Sequence, residues 1–181
     1  MNVREITVPV TKPATEWVNG RALQKSGQPF PEALAQAKMG AALGAWAEKT
    51  GSGRAGLEWD FRVTPPGEPT RPLVADLSFL SYDRLAYERD EAAQIPYMAP
   101  DAAIEILSPR DEPRDIEEKV RVYLAAGARL VLLIDPVERA FIARDTEGAR
   151  RFSGDDIFTH RALPDFSMRV SSIFELPKPK R

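Results

Sequence analysis

The sequence predicts an α/β chain, more closely an α+β arrangement in which a mixed central sheet is flanked by helices. Three observations carry that prediction. Residues 101–107 (DAAIEIL) and 129–135 (RLVLLID) read as strands on either side of a helical segment, 113–126, which is the pattern of a parallel crossover. Two further stretches, 57–63 (LEWDFRV) and 73–80 (LVADLSFL), alternate apolar and polar residues with the period of a strand. An alanine-rich segment, 31–49, places Met39, Ala42, Leu43 and Trp46 at the i, i+3, i+4, i+7 spacing of a buried helical stripe.

Taken in order, residues 1–14 read as a flexible leader and 15–176 as one domain, with 177–181 (PKPKR) a basic tail. In 15–24 the Asn19-Gly20 pair is a strong two-residue hairpin signal. Pro31 suits the first turn of the helix that follows, and the TGSG run ends it. The glycines of GSGRAG (51–56) read as a loop and not a phosphate cradle, because no GK[ST] ending follows and a helix, not a strand, precedes it. In 57–63, Leu57, Trp59, Phe61 and Val63 fall on one side of a strand. In 73–80, Leu73, Ala75, Leu77 and Phe79 share a face, with Asp76 opposite. Residues 82–99 have no clear period.

Pro113 opens the next helix, with Asp115, Glu117 and Glu118 near its N-terminus; Ile116, Val120, Tyr123 and Leu124 form its apolar stripe and Gly127 its C-cap. The continuous apolar run at 129–135 fits a strand covered on both faces, and 139–145 returns as its antiparallel neighbour. A covering hairpin and a short terminal helix complete the chain.

Composition excludes several function classes. At 181 residues with 43 % hydrophobic and 29 % charged residues, the chain has the makings of a folded globular domain with a sizeable core. With no cysteine and a single histidine, His160, disulfides and thiolate sites are excluded and a zinc site has too few ligands. Ser78, Ser81 and Ser108 lack a histidine of known proximity, which leaves a nucleophilic triad unsupported. No signal-peptide pattern or bilayer-spanning run is present, so a cytoplasmic, non-membrane protein is expected. The net charge of −2 argues against a strongly basic nucleic-acid binder, although a local basic cleft is compatible with it.

Glu105 stands in the middle of the apolar AAIEIL run. A charged side chain there faces solvent, forms an internal ion pair or binds a metal. If 73–80 and 101–107 are neighbours, Asp76 and Glu105 share one surface, and two converging carboxylates suit a hard cation such as Mg²⁺ or Mn²⁺. Lys119 on the following helix could bring an ammonium to the same rim, where it would offset developing negative charge. The plainer readings are a Glu105–Lys119 salt bridge and an Asp115–Lys119 surface pair at i, i+4.

The segments EWVNGRALQK (16–25), ADLSF (75–79), APDAAIEILSP (99–109), DIEEK (115–119) and YLAAGARLVLLIDP (123–136) together resemble the Uma2 family. The resemblance runs from about residue 15 to 145. It implies a restriction-endonuclease-like core of the PD-(D/E)xK type, with Asp76 and Glu105 as metal-binding carboxylates. Asp76 stands in Ala-Asp where many relatives have Pro-Asp. Leu107 occupies the place of the superfamily's usual lysine, and Lys119 is its migrated substitute. Glu16, Lys25 and Glu58 match polar positions near the implied cleft. Glu32 or Gln36 falls where relatives often carry a histidine.

The function so implied is metal-dependent hydrolysis of DNA phosphodiesters by a homodimer, with Mg²⁺ or Mn²⁺ and no small-molecule cofactor. Two other classes stay open. One is a non-catalytic scaffold, in which Glu105 pairs with Lys119. The other is a nucleic-acid-binding module that would use Arg110, Arg114, Arg121 and Arg129 as a basic groove.

Overall fold

The computed structural model describes residues 4–176 and Pro179. The expected basic tail and the first three residues of the expected leader lie, apart from Pro179, outside the described residues. In chain order the elements are β1 (Thr15–Val18), β2 (Arg21–Gln24), α1 (Phe30–Thr50), β3 (Gly53–Leu57), β4 (Asp60–Val63), β5 (Arg71–Val74) and β6 (Leu77–Ser81). They continue with α2 (Asp90–Gln94), β7 (Ala102–Ile106), α3 (Pro113–Ala125), β8 (Leu130–Asp135), β9 (Ala140–Asp145), β10 (Gly148–Ser153), β11 (Ile157–His160) and β12 (Leu163–Arg169). A 3-10 turn, Val170–Phe174, follows.

A six-stranded mixed sheet in the order β10-β9-β8-β7-β6-β3 forms the centre. Its one parallel pairing, β7 with β8, is the crossover read from the sequence, with α3 as the connection. The β8–β9 and β6–β7 pairs are antiparallel, which makes 73–80 and 101–107 neighbours over the β6 half of the first segment. Strand parity then sorts side chains into two cores. Ala102, Ile104, Ile106, Leu130, Leu132 and Ile134 pack with Met39, Leu43 and Trp46 of α1 and with Phe158 and Phe166 of the β11–β12 hairpin. Ala103, Val131 and Leu133 face the other way, onto Val120, Val122 and Tyr123 of α3 and Phe61, Val63 and Leu73 of the β4–β5 pair. Both sheet faces are therefore buried, which is why β8 is apolar at nearly every position.

The hairpin at 15–24 forms with full register, and Asn19 and Gly20 take φ of 47° and 75°, the left-handed pair its two-residue turn demands. Helix α1 begins one residue before the expected start and ends at Gly51 in the left-handed conformation. Within the expected leader, Arg4 and Ile6 exchange backbone hydrogen bonds with Thr70.

Four sequence expectations need correction. Residues 57–63 are not one strand: Glu58 takes φ 46° and breaks the run, so Leu57 ends β3 at 60 % exposure while Phe61 and Val63 are buried in a different sheet. The GSGRAG loop is instead the start of β3, whose Gly53 lets the backbone lie against β6; a Cβ there would run into the Leu80 carbonyl. Residues 73–80 divide at Ala75-Asp76, so Leu73 and Ala75 face one core while Leu77 and Phe79 face the other. Residues 148–153, given no strand by the sequence, extend the sheet as β10.

Candidate functional site

The break between β5 and β6 positions the site. Asp76 sits in it, held by its backbone: its carbonyl accepts from the Glu58 N–H (3.1 Å) and from Gln36 Nε2 (3.2 Å). Its side chain turns towards the end of β7, where Oδ2 accepts the Ile106 N–H at 2.6 Å. Glu105 is the residue before that N–H. The antiparallel β6–β7 register thus brings Asp76 and Glu105 to one wall of a cavity of about 230 Å³, also lined by Glu16, Lys25, Gln28, Glu32, Asp111 and Lys119.

Glu16 and Asp76 are 3 % exposed, Glu105 4 % and Lys119 5 %. At such burial charges persist only when paired, and each is. Lys119 Nζ lies 2.7 Å from Glu105 Oε2 and 2.9 Å from Glu16 Oε1. Glu16 Oε2 accepts the Val74 N–H at 3.1 Å, which ties the hairpin to β5. Lys25 Nζ donates to Asp76 Oδ1 at 2.7 Å and to the Val74 carbonyl at 2.9 Å, with Gln28 Nε2 at 3.4 Å from the same Oδ1. Of the carboxylate oxygens of Glu16, Asp76 and Glu105, Oε1 of Glu105 is the one buried without a hydrogen-bond partner among the described residues. In this paired set three carboxylates, Glu16, Asp76 and Glu105, face two ammoniums, Lys25 and Lys119.

The electrostatics follow from that count. Burial pushes the Glu105 carboxyl up to about 7, against the pull of the Lys119 and Lys25 charges, with Asp76 and Glu16 adding to the rise. Burial works to lower Lys119, but the Glu105, Glu16 and Asp76 charges outweigh it and hold the ammonium protonated. Lys25 is likewise raised, burial and Lys119 opposing and the three carboxylates prevailing. Asp111 is raised by burial, although the Ser108 N–H bonded to its Oδ2 at 2.7 Å pulls the other way.

Of the residues the sequence singles out, Asp76, Glu105, Lys119, Glu16 and Lys25 converge. Glu58 does not: its side chain is exposed on the turn between β3 and β4, and only its backbone N–H reaches Asp76. Glu32 lines the cavity, whereas Gln36 serves the Asp76 carbonyl. The Asp115–Lys119 pair is absent, because Asp115 is bound by Arg21 and Asn19 while Lys119 turns inward. Of the expected basic groove, Arg110 lines this cavity and Arg114 does not, while Arg121 is spent on Glu68 and Glu118 and Arg129 on Asp101. Sequence reasoning missed Gln28 and Asp111. Both lie in loops without periodicity, and the only available signal was their closeness to Lys25 and to the end of the Glu105 strand.

The cavity offers carboxylate oxygens, the donor type that a hard divalent ion takes. Glu105 offers a buried carboxylate oxygen with no partner, and Asp76 supplies a second carboxylate to the same cavity. Among the described residues no group of three or more His, Cys, Asp or Glu is arranged to hold a metal. Two carboxylates are nonetheless what Mg²⁺ commonly takes from protein, with water or substrate phosphate completing its shell.

A family model described as "Uma2: Putative restriction endonuclease" matches residues 7–171. The chain belongs to the Uma2 family. This Uma2 protein is similar to a solved structure from Anabaena variabilis titled as a putative nuclease belonging to DUF820. The TM-score is 0.80 at 24 % sequence identity, covering 92 % of this chain and 93 % of that one. At that identity the likeness bears on the fold, and it supports the restriction-endonuclease-like architecture of the Uma2 chain. No curated protein matches it. Among the described residues, no helix of the Uma2 protein is long and apolar enough to cross a membrane.

Proposed function

We propose that this Uma2 protein is a divalent-metal-dependent endonuclease that hydrolyses DNA phosphodiester bonds. The observation that carries the reading is the unpartnered, buried Glu105 Oε1 sharing a cavity with Asp76. Asp76 and Glu105 would hold the ion. A bound Mg²⁺ or Mn²⁺ would supply Lewis-acid polarisation of the phosphate and a more acidic bound water. Lys119, fixed by Glu16, keeps a permanent positive charge beside Glu105 that can offset negative charge developing on the phosphoryl oxygens. A homodimer acting in the cytoplasm goes with this reading, since one such site cuts one strand of a duplex.

The scaffold reading has one observation in its favour: Glu105 does pair with Lys119. Nicking of supercoiled DNA in Mn²⁺ separates the two. The wild type is expected to nick, with Asp76→Asn and Glu105→Gln each slowing it by at least ~100-fold, the scale of losing one electrostatic group at a reacting centre. Nicking that persists in Glu105→Gln, or is absent from the wild type at every metal concentration, would favour the scaffold.

A further inference from the structure

Asp76 already has a cation. Lys25 Nζ is 2.7 Å from Oδ1 and 2.9 Å from the Val74 carbonyl, and its side chain is only 12 % exposed. The other oxygen, Oδ2, is taken by the Ile106 N–H. A divalent ion bound through Asp76 therefore meets an ammonium on one carboxylate oxygen and a peptide N–H on the other. Glu105 presents the opposite situation, with Lys119 on Oε2 and nothing on Oε1. The two ammoniums are also anchored differently. Lys119 lies on α3 between two carboxylates, whereas Lys25 follows the last residue of β2 and has one carboxylate and one carbonyl.

From this asymmetry we infer that Lys25 is a resident competitor for the metal seat: its ammonium occupies the cation position at Asp76 and must leave before a divalent ion binds there. The inference rests on the proposed metal-dependent function and adds a residue to it. Lys119 keeps its place when an ion arrives, because Glu16 and Oε2 of Glu105 still hold it. Lys25 is the group that moves, and it lowers the metal affinity of the unmodified chain.

The test measures Mn²⁺ uptake by the full chain, using electron paramagnetic resonance of free Mn²⁺ and calorimetry. Lys25→Met is expected to bind Mn²⁺ about tenfold more tightly than the wild type, since a full positive charge in contact with the ligand oxygen is removed. Arg110→Met controls for the general field: Arg110 lines the same cavity but donates to the Gly27 carbonyl and not to a carboxylate. Its effect is expected to be clearly smaller. Lys25→Gln, which keeps a donor for the Val74 carbonyl, repeats the test if Lys25→Met fails to melt cooperatively by circular dichroism. Equal or weaker binding in both Lys25 variants, with Glu105→Gln still abolishing wild-type binding, overturns the inference and leaves the function standing. No uptake by the wild type or either Lys25 variant overturns the metal reading and this inference with it.

Discussion

Glu105 is a carboxylate whose burial costs more than its ion pair returns, and stability should record that. Its carboxyl is raised from an ordinary 4.5 to about 7, so between those values the folded chain holds a proton that the unfolded chain has released. The sign is then fixed. Glu105's contribution is most favourable below about 4.5, falls as pH rises through the window and levels off above about 7, with a slope of at most ~1.4 kcal/mol per pH unit. Urea unfolding in EDTA should therefore show Glu105→Gln gaining on the wild type from about pH 5 to about pH 7. A difference that stays constant with pH would mean that Lys119 neutralises Glu105 outright. At this scale the family motif singled out Asp76, Glu105 and Lys119, which line one cavity, while strand parity placed only Glu105. The sequence misdirected at Lys119 and Asp115, whose i, i+4 spacing suggested a surface pair. The inward pull of Glu16, 103 residues away in sequence, won.

Among the elements, glycines separate packing from propensity. Gly53 of β3 lies so close to β6 that an added Cβ runs into the Leu80 carbonyl and comes within 2.7 Å of the Phe79 ring. A backbone atom cannot swing aside, so Gly53→Ala should cost about 1–3 kcal/mol or more. Gly44, within α1, has open space where an alanine would place its Cβ, with nothing within 4 Å. Gly44→Ala should stabilise the chain by roughly 0.5–1 kcal/mol through helix propensity alone. Chemical denaturation of the two variants checks both signs. The long, strongly patterned elements were legible: the Asn-Gly hairpin, α1, and the β7-α3-β8 crossover. The broken strands were not, because alternation continues in the letters through Glu58 and Asp76 while the backbone turns. A non-glycine φ of 46° at Glu58 has no signature in a hydropathy pattern.

For the molecule as a whole, an ion that binds only the folded chain raises its melting temperature by mass action. With Mn²⁺ at a hundredfold excess over its Kd, the gain is ~2.7 kcal/mol, which corresponds to a rise of about 5 to 10 °C for a chain of this size. Glu105→Gln should show no such rise, and an equal rise in that variant would locate the binding elsewhere. The burial of the central strand on both faces was implied by the apolar 129–135 run, whereas the outer places of β10 and β3 in the sheet were not read from the sequence. The division into two cores by a single segment was not, since it depends on the turn at Ala75-Asp76.

That turn ties the chemistry to the packing. One short stretch furnishes a wall for each hydrophobic compartment, and the acid sits at the joint between them. Neither compartment can swell or collapse without tugging on the carboxylate. Enlarging or shrinking an interior side chain on either side, even far from the cavity, should consequently blunt ion uptake before it visibly loosens the fold.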